Sequence, residues 1–353
     1  MSSLAGLLGL RMLGLFMVLP VLAIHVQQMP GATPFHAGLA LGIYGLTQAA
    51  LQLPFGKLSD RWGRKPVIAL GLLIFMAGSV LAAFAETVSV LVLGRALQGA
   101  GAISAAVTAF VGDITPPQRR ARAMALIGIA IGTAFMLSFI AGPMLSGIVG
   151  VPGLFWISAG LAGLGLTMLL LAPAAPPPEI NATAPLTTIL RRIAPEVAGV
   201  FLLHALLMAG FLVIPELLVD RAGIPLTQHG WVYLPVLLGS LLLLAPLVLI
   251  QERLSARFAM LLALLLLAAG QMAWLVGGSA WWLYFGLMLF FGGFNSIEAF
   301  LPARVSVLAR QGERGGAMGL FATAQFLGAF AGGVFGGLLA GQFGRAAVIW
   351  AGI

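Results

Sequence analysis

Residues 56–66 read Gly56-Lys57-Leu58-Ser59-Asp60-Arg61-Trp62-Gly63-Arg64-Lys65-Pro66 and form a short charged interruption between two long apolar blocks. The glycines permit a sharp reversal of the chain, and Asp60 is placed to face the positive end of a helix dipole. The arginines can pair with carboxylates. A loop that only retained positive charge on one side of a membrane would account for Arg61 and Lys65, but it would leave Asp60 and the glycines unexplained.

The composition around this segment is typical of a membrane protein. Of the 353 residues, 61% are hydrophobic and only 8% are charged, whereas soluble domains carry about 25% charged residues. The apolar residues come in blocks of about 20, each long enough to cross the hydrocarbon core of a bilayer. The net charge of +8 includes no run of like charges with interleaved aromatics, so we expect no nucleic-acid partner. The absence of cysteine excludes disulfides and thiolate chemistry.

The apolar blocks predict an all-α membrane protein with two six-helix halves, residues 1–172 and 197–353. Residues 173–196 form a linker in which alanine and a run of prolines interrupt the helical pattern. Only nine residues follow Gly344, about half of a membrane span, so we expect helix 12 to be truncated and the natural chain to continue. The predicted bounds of helices 1–11 are 4–25, 36–55, 66–85, 89–112, 122–149, 153–172, 197–219, 230–250, 258–276, 280–303 and 317–341.

Basic residues predict the orientation of these helices, because cytoplasmic loops retain lysine and arginine. With the amino terminus inside, the outer loops hold only Arg221 and Arg345, while Arg11 and Arg95 lie within helices. We therefore expect a cytoplasmic amino terminus. The other fourteen of the eighteen basic residues fall in cytoplasmic loops: Lys57, Arg61, Arg64, Lys65, Arg119, Arg120, Arg122, Arg191, Arg192, Arg253, Arg257, Arg304, Arg310 and Arg314.

Residues 56–66 resemble the loop signature G-x-L-x-D-R-x-G-R-[KR] of the major facilitator superfamily. The resemblance implies twelve helices in two halves that expose a central site to each side of the membrane in turn. It also implies a cytoplasmic charge cluster that holds the halves together while the outer side is open. In that cluster Asp60 and Arg64 act with an acidic residue at the end of helix 4, where Asp113 lies. The signature is matched at Gly56, Leu58, Asp60, Arg61, Gly63, Arg64 and Lys65.

Three further regions resemble members of the same family. Residues 93–99 resemble its helix 4 signature, with Arg95 as the embedded arginine, and the family implies a part for this residue in proton transfer. Residues 10–22 and 42–48 resemble a bacterial inner-membrane exporter of the family that carries an additional soluble domain after helix 12. The resemblance implies a location in the bacterial inner membrane and a proton gradient as the energy source.

Helix 5 contains the motif that indicates the direction of transport. Residues 138–147 resemble the signature G-x-x-x-G-P-x-x-G-G of proton-coupled drug exporters, in which small residues four apart let helices approach closely. The match favours export by proton antiport, and import by proton symport is the alternative. Gly142, Pro143 and Gly147 match the signature, whereas serine replaces glycine at Ser138 and Ser146.

Ionisable side chains inside the bilayer are candidates for proton coupling, because each costs about 3 kcal/mol or more to insert. Arg11 and Arg95 alternatively form structural braces between helices. His204 titrates near neutrality when free, but it is alternatively a packing residue. Glu216, near the outer end of helix 7, alternatively faces water. Glu298 in helix 10 is the fifth candidate.

Glu298 is the best-placed carboxylate for coupling. Asn295 lies one turn before it and is expected to orient it, and the preceding residues 290–294 are strongly apolar. Helix 10 is the repeat equivalent of helix 4, so we expect Glu298 and Arg95 to face one cavity. We predict that Glu298 exchanges the coupling proton, with His204 and Glu216 as the next candidates.

The sequence contains no pattern that indicates catalysis. Its four histidines are scattered, and neither G-x-S-x-G nor H-E-x-x-H occurs. We therefore expect no enzymatic activity, no metal and no cofactor. The expected partners are a small-molecule substrate, protons and the lipid bilayer, and we expect a monomer. A cavity lined by Phe, Met and Leu suits lipophilic cations and neutral amphiphiles equally. A sensor that retained the fold but lost transport remains an alternative function.

Overall fold

The computed structural model describes residues 2–174, 185–253, 255–310 and 313–353, without the side chains of residues 117, 121, 251 and 252, and these ranges are helical apart from short turns. A non-helical residue, Gly150 with φ 69°, separates α5 from α6. The helices are α1 (Ser2–Met17 and Leu19–Gln27), α2 (Pro34–Trp62), α3 (Arg64–Ala83), α4 (Val88–Ala100 and Ser104–Asp113), α5 and α6 (Arg120–Leu170), α7 (Leu186–Asp220), α8 (His229–Arg253), α9 (Ala256–Val276), α10 (Ala280–Leu308), α11 (Arg314–Phe343) and α12 (Arg345–Trp350).

The helices have the lengths that a bilayer requires. Nine helical stretches of the described residues are long and apolar enough to cross a membrane. One of these stretches, Arg122–Leu170, spans 49 residues and contains the break at Gly150, so it accounts for two crossings. The predicted all-α membrane architecture is confirmed.

The two halves pack together mainly at one end of the bundle. We call the end that carries the Gly63 turn and the linker the linker end, and the opposite end the far end. One buried apolar cluster joins the far-end parts of α1 and α2, such as Val21 and Leu41, to residues of the C-terminal half such as Phe211 and Phe291. The buried residues of a second cluster, from Leu4 onward, all belong to the N-terminal half.

Glycines bring α2 and α11 into backbone contact across the two halves. A methyl group on Gly38 would lie 2.0 Å from the carbonyl oxygen of Gly333, and one on Gly45 would lie 2.4 Å from that of Phe326. No side chain fits at such a separation, so these glycines permit the close approach of the helices.

Gly38→Ala is expected to separate α2 from α11 and to open the far end. The chain contains no cysteine, so a single cysteine at Ala23, which is 1% exposed at the far end of α1, reports accessibility to a thiol reagent. We expect at least about tenfold faster labelling, equivalent to ~1.4 kcal/mol. Gly160→Ala is the control, since nothing lies within 4 Å of the added methyl. Equal labelling in both variants would contradict the conclusion that the contact at Gly38 holds the two halves together at the far end.

The turn between α2 and α3 is shorter than predicted. Helix α2 continues to Trp62, so Gly56 lies within a helix and the prediction that it takes part in the reversal is wrong. The reversal occurs at Gly63 alone, whose φ of 90° favours glycine. The hydropathy pattern identifies only the apolar part of a helix. It therefore does not indicate that α2 extends beyond the bilayer with charged side chains in water.

The linker is also shorter than predicted. Helix α7 begins at Leu186, so residues 186–196 are helical, while the proline run falls in residues 175–184, outside the described residues. The extension forms because Ile189 and Ile193 lie four residues apart on one face and are at most 1% exposed. Pro195 is accommodated inside the helix.

Candidate functional site

Glu298 of α10 lies in a polar cluster with one residue from α7 and one from α11. The side-chain amide of Gln325 donates from Nε2 to Glu298 Oε1 at 3.1 Å, and the same nitrogen lies 2.8 Å from His204 Nε2. His204 Nε2 and Glu298 Oε2 are 3.9 Å apart. The structure therefore brings together two of the predicted coupling residues, Glu298 and His204, and adds Gln325.

This cluster is apolar in its surroundings at His204 and partly exposed at Glu298. The His204 ring packs edge-on against Phe294, with 5.6 Å between the ring centroids. The side chain of Glu298 is 33% exposed and that of His204 is 11% exposed. Among the described residues, Glu298 Oε2 has no hydrogen-bond partner. The carboxyl group is thus partly exposed, while its buried oxygen Oε2 is unpaired among the described residues, which suits a group that gains and loses a proton.

Two predicted partners of Glu298 lie elsewhere. Asn295 donates to Ser240 Oγ of α8 at 3.1 Å, so the prediction that it orients Glu298 is wrong. Arg95 donates from Nε to the carbonyl of Ala40 at 3.2 Å. Arg95 and Glu298, which both belong to the described residues, form no ion pair. Each polar side chain instead uses partners on helices of its own half.

Arg95 belongs to a buried network in the N-terminal half. It is 0% exposed, and it donates from Nη1 to Gln98 Oε1 at 2.7 Å. Gln98 in turn donates to Ser79 Oγ at 2.8 Å. The guanidinium also lies 5.2 Å from the ring centroid of Tyr44, a cation–π contact. These contacts link α2, α3 and α4 and match the alternative of a structural brace.

Arg11 stabilises a break in α4 that the sequence pattern did not predict. The helix ends at Ala100 and resumes at Ser104, and Arg11 Nη2 donates to the carbonyl of Gly101 and to Gln48 Oε1, both at 2.8 Å. A cation at the carboxyl end of a helix interacts favourably with its dipole and with the unpaired carbonyls. Arg11 therefore braces α1, α2 and α4 together.

At the linker end, Arg64 joins α2, α3 and α4. It donates from Nε to Asp113 Oδ2 at 2.7 Å and from Nη1 to Asp60 Oδ1 at 2.5 Å. Arg64 is 6% exposed, whereas Arg61 is exposed. Lys65 Nζ donates to the carbonyl of Ala172 at the end of α6. Every partner that the structure gives to Arg64 and Lys65 belongs to the N-terminal half.

The C-terminal half has its own charge cluster at the linker end, which the sequence analysis missed because it assigned residues 173–196 to a linker. Arg192 pairs with Glu313, and Glu196 pairs with Arg304 at 2.9 Å. Helix α7 thus presents opposite charges one turn apart. Burial alone would raise the pKa of Glu313, but the hydrogen bonds from Arg192 and from the Arg310 N–H hold that pKa below its usual value. This contribution to stability is present at neutral pH and is lost as the pH falls through the lowered pKa.

Arg304→Gln is expected to destabilise the protein, because Glu196 is only 3% exposed and would keep a buried charge without its partner. Breaking a fully buried pair costs about 3–5 kcal/mol, and the 48% exposure of Arg304 reduces the expected loss to ~2 kcal/mol. Thermal unfolding in detergent measures it. Adding Glu196→Gln should restore most of the loss, whereas simple additivity of the two changes would contradict the pairing.

Glu216 links the two halves at the far end. It accepts a hydrogen bond from Gln27 of α1 and pairs with Arg345 of α12 at 3.1 Å, and its side chain is 18% exposed. Arg345 also pairs with Asp220 at 2.6 Å. The alternative in which Glu216 simply faces water is therefore wrong.

The helix 5 motif packs α5 against helices of both halves. Ser138 donates to the carbonyl of Leu13 at 2.9 Å. A methyl on Gly142 would lie 2.2 Å from the Met17 carbonyl oxygen, and one on Gly147 would lie 2.6 Å from the side chain of Thr227 in the C-terminal half. Pro143 lies inside the helix. The small residues permit close approach, as the signature predicts.

Comparisons with known proteins agree with this architecture. Residues 4–219 match the family described as Major Facilitator Superfamily. The chain is 39% identical to the inner membrane transport protein YajR of Escherichia coli over 99% of this chain and 79% of YajR. It is 32% identical to the class B tetracycline resistance protein of Escherichia coli over 39% of this chain and 34% of that protein. The crystal structure of a point mutant of the nucleoside transporter NupG has the same fold, with a TM-score of 0.80 and 16% identity over 99% of this chain and 95% of NupG.

Proposed function

The chain belongs to the major facilitator superfamily, as its loop signature predicted, and from this premise we propose that it exports a small molecule in exchange for protons. Its fold and its relatives are those of membrane transporters and not of enzymes. The similarity to an inner membrane protein supports a location in the bacterial inner membrane. The positive-inside distribution supports a cytoplasmic amino terminus, so that the linker end faces the cytoplasm.

The observation that carries the proposal is the environment of Glu298. A carboxylate within the membrane-spanning part of a helix is costly and is retained only with a partner or a task. Here its partner is the neutral amide of Gln325, and its second oxygen is unpaired among the described residues. Binding and release of one proton at Glu298 would couple transport to the proton gradient, since one charge moved through 100 mV supplies about 2.3 kcal/mol.

The helix 5 motif supports export over import. Gly142, Pro143 and Gly147 match the exporter signature, and part of the chain is similar to a tetracycline resistance protein. The packing of Gly147 against Thr227 places the motif where the two halves meet. Import by proton symport would use the same carboxylate, but the proton and the substrate would be bound together and move in the same direction.

Alternating access provides the mechanism. Contacts at the far end, including Gly38 with Gly333 and Gln27 with Glu216, hold the halves together there. In the proposed cycle the substrate enters from the linker end, these far-end contacts then break, and the Arg64 cluster helps to keep the linker end closed. Protonation of Glu298 from the far side would favour release of the substrate. The protein would then return to the state that is open at the linker end.

Flux into proteoliposomes tests the proposal. Purified protein is reconstituted with an internal pH-sensitive dye and screened against lipophilic cations and neutral amphiphiles, with imposed proton gradients of both directions. We expect substrate movement opposite to proton movement, and collapse of the gradient by an ionophore should abolish accumulation. Movement of substrate and protons in the same direction would indicate symport. Binding of a ligand without flux would indicate a sensor that has lost transport.

A further inference from the structure

Gln325 occupies a position that determines which atoms of the cluster can carry hydrogen. We propose that Gln325 is a positioning residue that keeps His204 neutral, with its hydrogen on Nδ1, so that the site exchanges one proton, at Glu298. The role of that proton in coupling rests on the proposed function. The protonation state of His204 can be measured without any transport.

The hydrogen on His204 Nδ1 follows from its neighbour. Nδ1 lies 3.1 Å from the carbonyl oxygen of Val200, and a carbonyl oxygen can only accept a hydrogen bond. Nδ1 therefore carries a hydrogen and donates. This leaves the state of Nε2 to be decided by what faces it.

The amide of Gln325 decides the state of Nε2. Its NH₂ group lies 2.8 Å from His204 Nε2 and 3.1 Å from Glu298 Oε1, and an amide nitrogen only donates. Nε2 must then accept, which makes the imidazole neutral. If the amide were rotated, its oxygen would face His204 Nε2 and Glu298 Oε1. An oxygen only accepts, so both of these atoms would then have to carry a hydrogen.

The rest of the site contains no other described group that would set the charge of His204. On the helices that carry the cluster and pack against it, no other described ionisable side chain forms a hydrogen bond or an ion pair with His204, Gln325 or Glu298. On α7 and α10 the charged residues closest in sequence, Glu196 and Arg304, pair with each other. The remaining described ones are Arg191, Arg192, Glu216 and Asp220 on α7, His229, Tyr233 and Arg253 on α8, Arg257 on α9, Tyr284 on α10 and Arg314 on α11, with Arg11 and His25 on α1, His36, Tyr44, Lys57, Asp60 and Arg61 on α2, and Arg345 on α12.

Removing the amide should allow a second proton to enter. Without the Gln325 donor, Nε2 of His204 is free to take a proton and to approach Glu298 Oε2, which lies 3.9 Å away and is unpaired among the described residues. The result would be an imidazolium–carboxylate pair. Gln325→Met keeps the length of the side chain and removes both hydrogen-bonding groups.

Nitrogen NMR of histidine-labelled protein in lipid nanodiscs tests the inference. The chain has four histidines, and the His204 signals are assigned by their loss in His204→Gln. In the unmodified protein we expect the neutral Nδ1–H tautomer from about pH 6 to about pH 8, a range in which a free imidazole titrates. An Nε2–H tautomer, or an imidazolium at about pH 7, would overturn the proposal without any variant being made.

The variants add a functional readout. Gln325→Met should convert His204 to an imidazolium at about pH 7 and should change the pH profile of transport from one titrating group to two. Gln271→Met is the matched control, because Gln271 donates to the Gly352 carbonyl away from the cluster, and it should leave both readouts unchanged. An unchanged His204 spectrum in Gln325→Met would overturn the proposal. If the spectra behave as expected but Glu298→Gln remains coupled, the proposed coupling fails and the role of Gln325 stands.

Discussion

Glu298→Gln is expected to bind substrate normally but to lose the dependence of transport on the proton gradient. Glutamine has nearly the size of protonated glutamate, so the variant mimics the permanently protonated site and still accepts the hydrogen bond from Gln325. We expect gradient-driven accumulation to fall by at least about a hundredfold, or ~2.7 kcal/mol. Glu298→Ala should impair both binding and coupling, because it also removes the hydrogen-bond acceptor.

Accumulation in proteoliposomes with a pH-sensitive dye measures this effect. Glu216→Gln is the matched control, since Glu216 also lies in a membrane helix but pairs with Arg345 at the far end, and it should remain coupled. If Glu298→Gln accumulates substrate against a gradient as well as the parent and still moves protons, the coupling residue lies elsewhere. His204 and Glu216 would then be the next candidates.

Arg64→Gln is expected to have the second largest effect, on stability and on the balance between conformations. It would leave Asp60 and Asp113 without the cation between them. We expect a loss of ~2 kcal/mol, below the 3–5 kcal/mol of a fully buried pair, because the Asp113 side chain is 26% exposed. We also expect cysteine probes at the linker end to react faster, since the cluster is proposed to help close that end.

Comparison of the two carboxylates sharpens this prediction. Asp113→Asn should cost more stability than Asp60→Asn, because the Asp60 side chain is 47% exposed and its pairing is screened by water. Asp60→Asn should nevertheless shift the population toward states that are open at the linker end and reduce transport, without preventing insertion. Normal transport and unchanged probe accessibility in Asp60→Asn would contradict the role of the cluster in closure.

The sequence by itself determined the class and the family. Hydropathy identifies membrane helices because a bilayer requires apolar side chains over a known length, and residues 56–66 carry the family's signature where α2 ends and α3 begins. The pairing of Arg64 with Asp113 was implied by the family resemblance, and the structure shows it. Glu298 and His204 were identifiable as embedded ionisable residues, although their proximity was not.

Only the tertiary structure decided how polar side chains inside the bundle are paired. Hydropathy describes how far a helix extends through lipid, but not the direction in which a side chain points. The structure therefore places Asn295 against Ser240, and Gln325 between His204 and Glu298. The break in α4 and the extension of α7 likewise depend on partners far away in sequence, Arg11 for the first and the start of α11 for the second. In a medium without water, a polar group takes the partner that helix packing brings within reach.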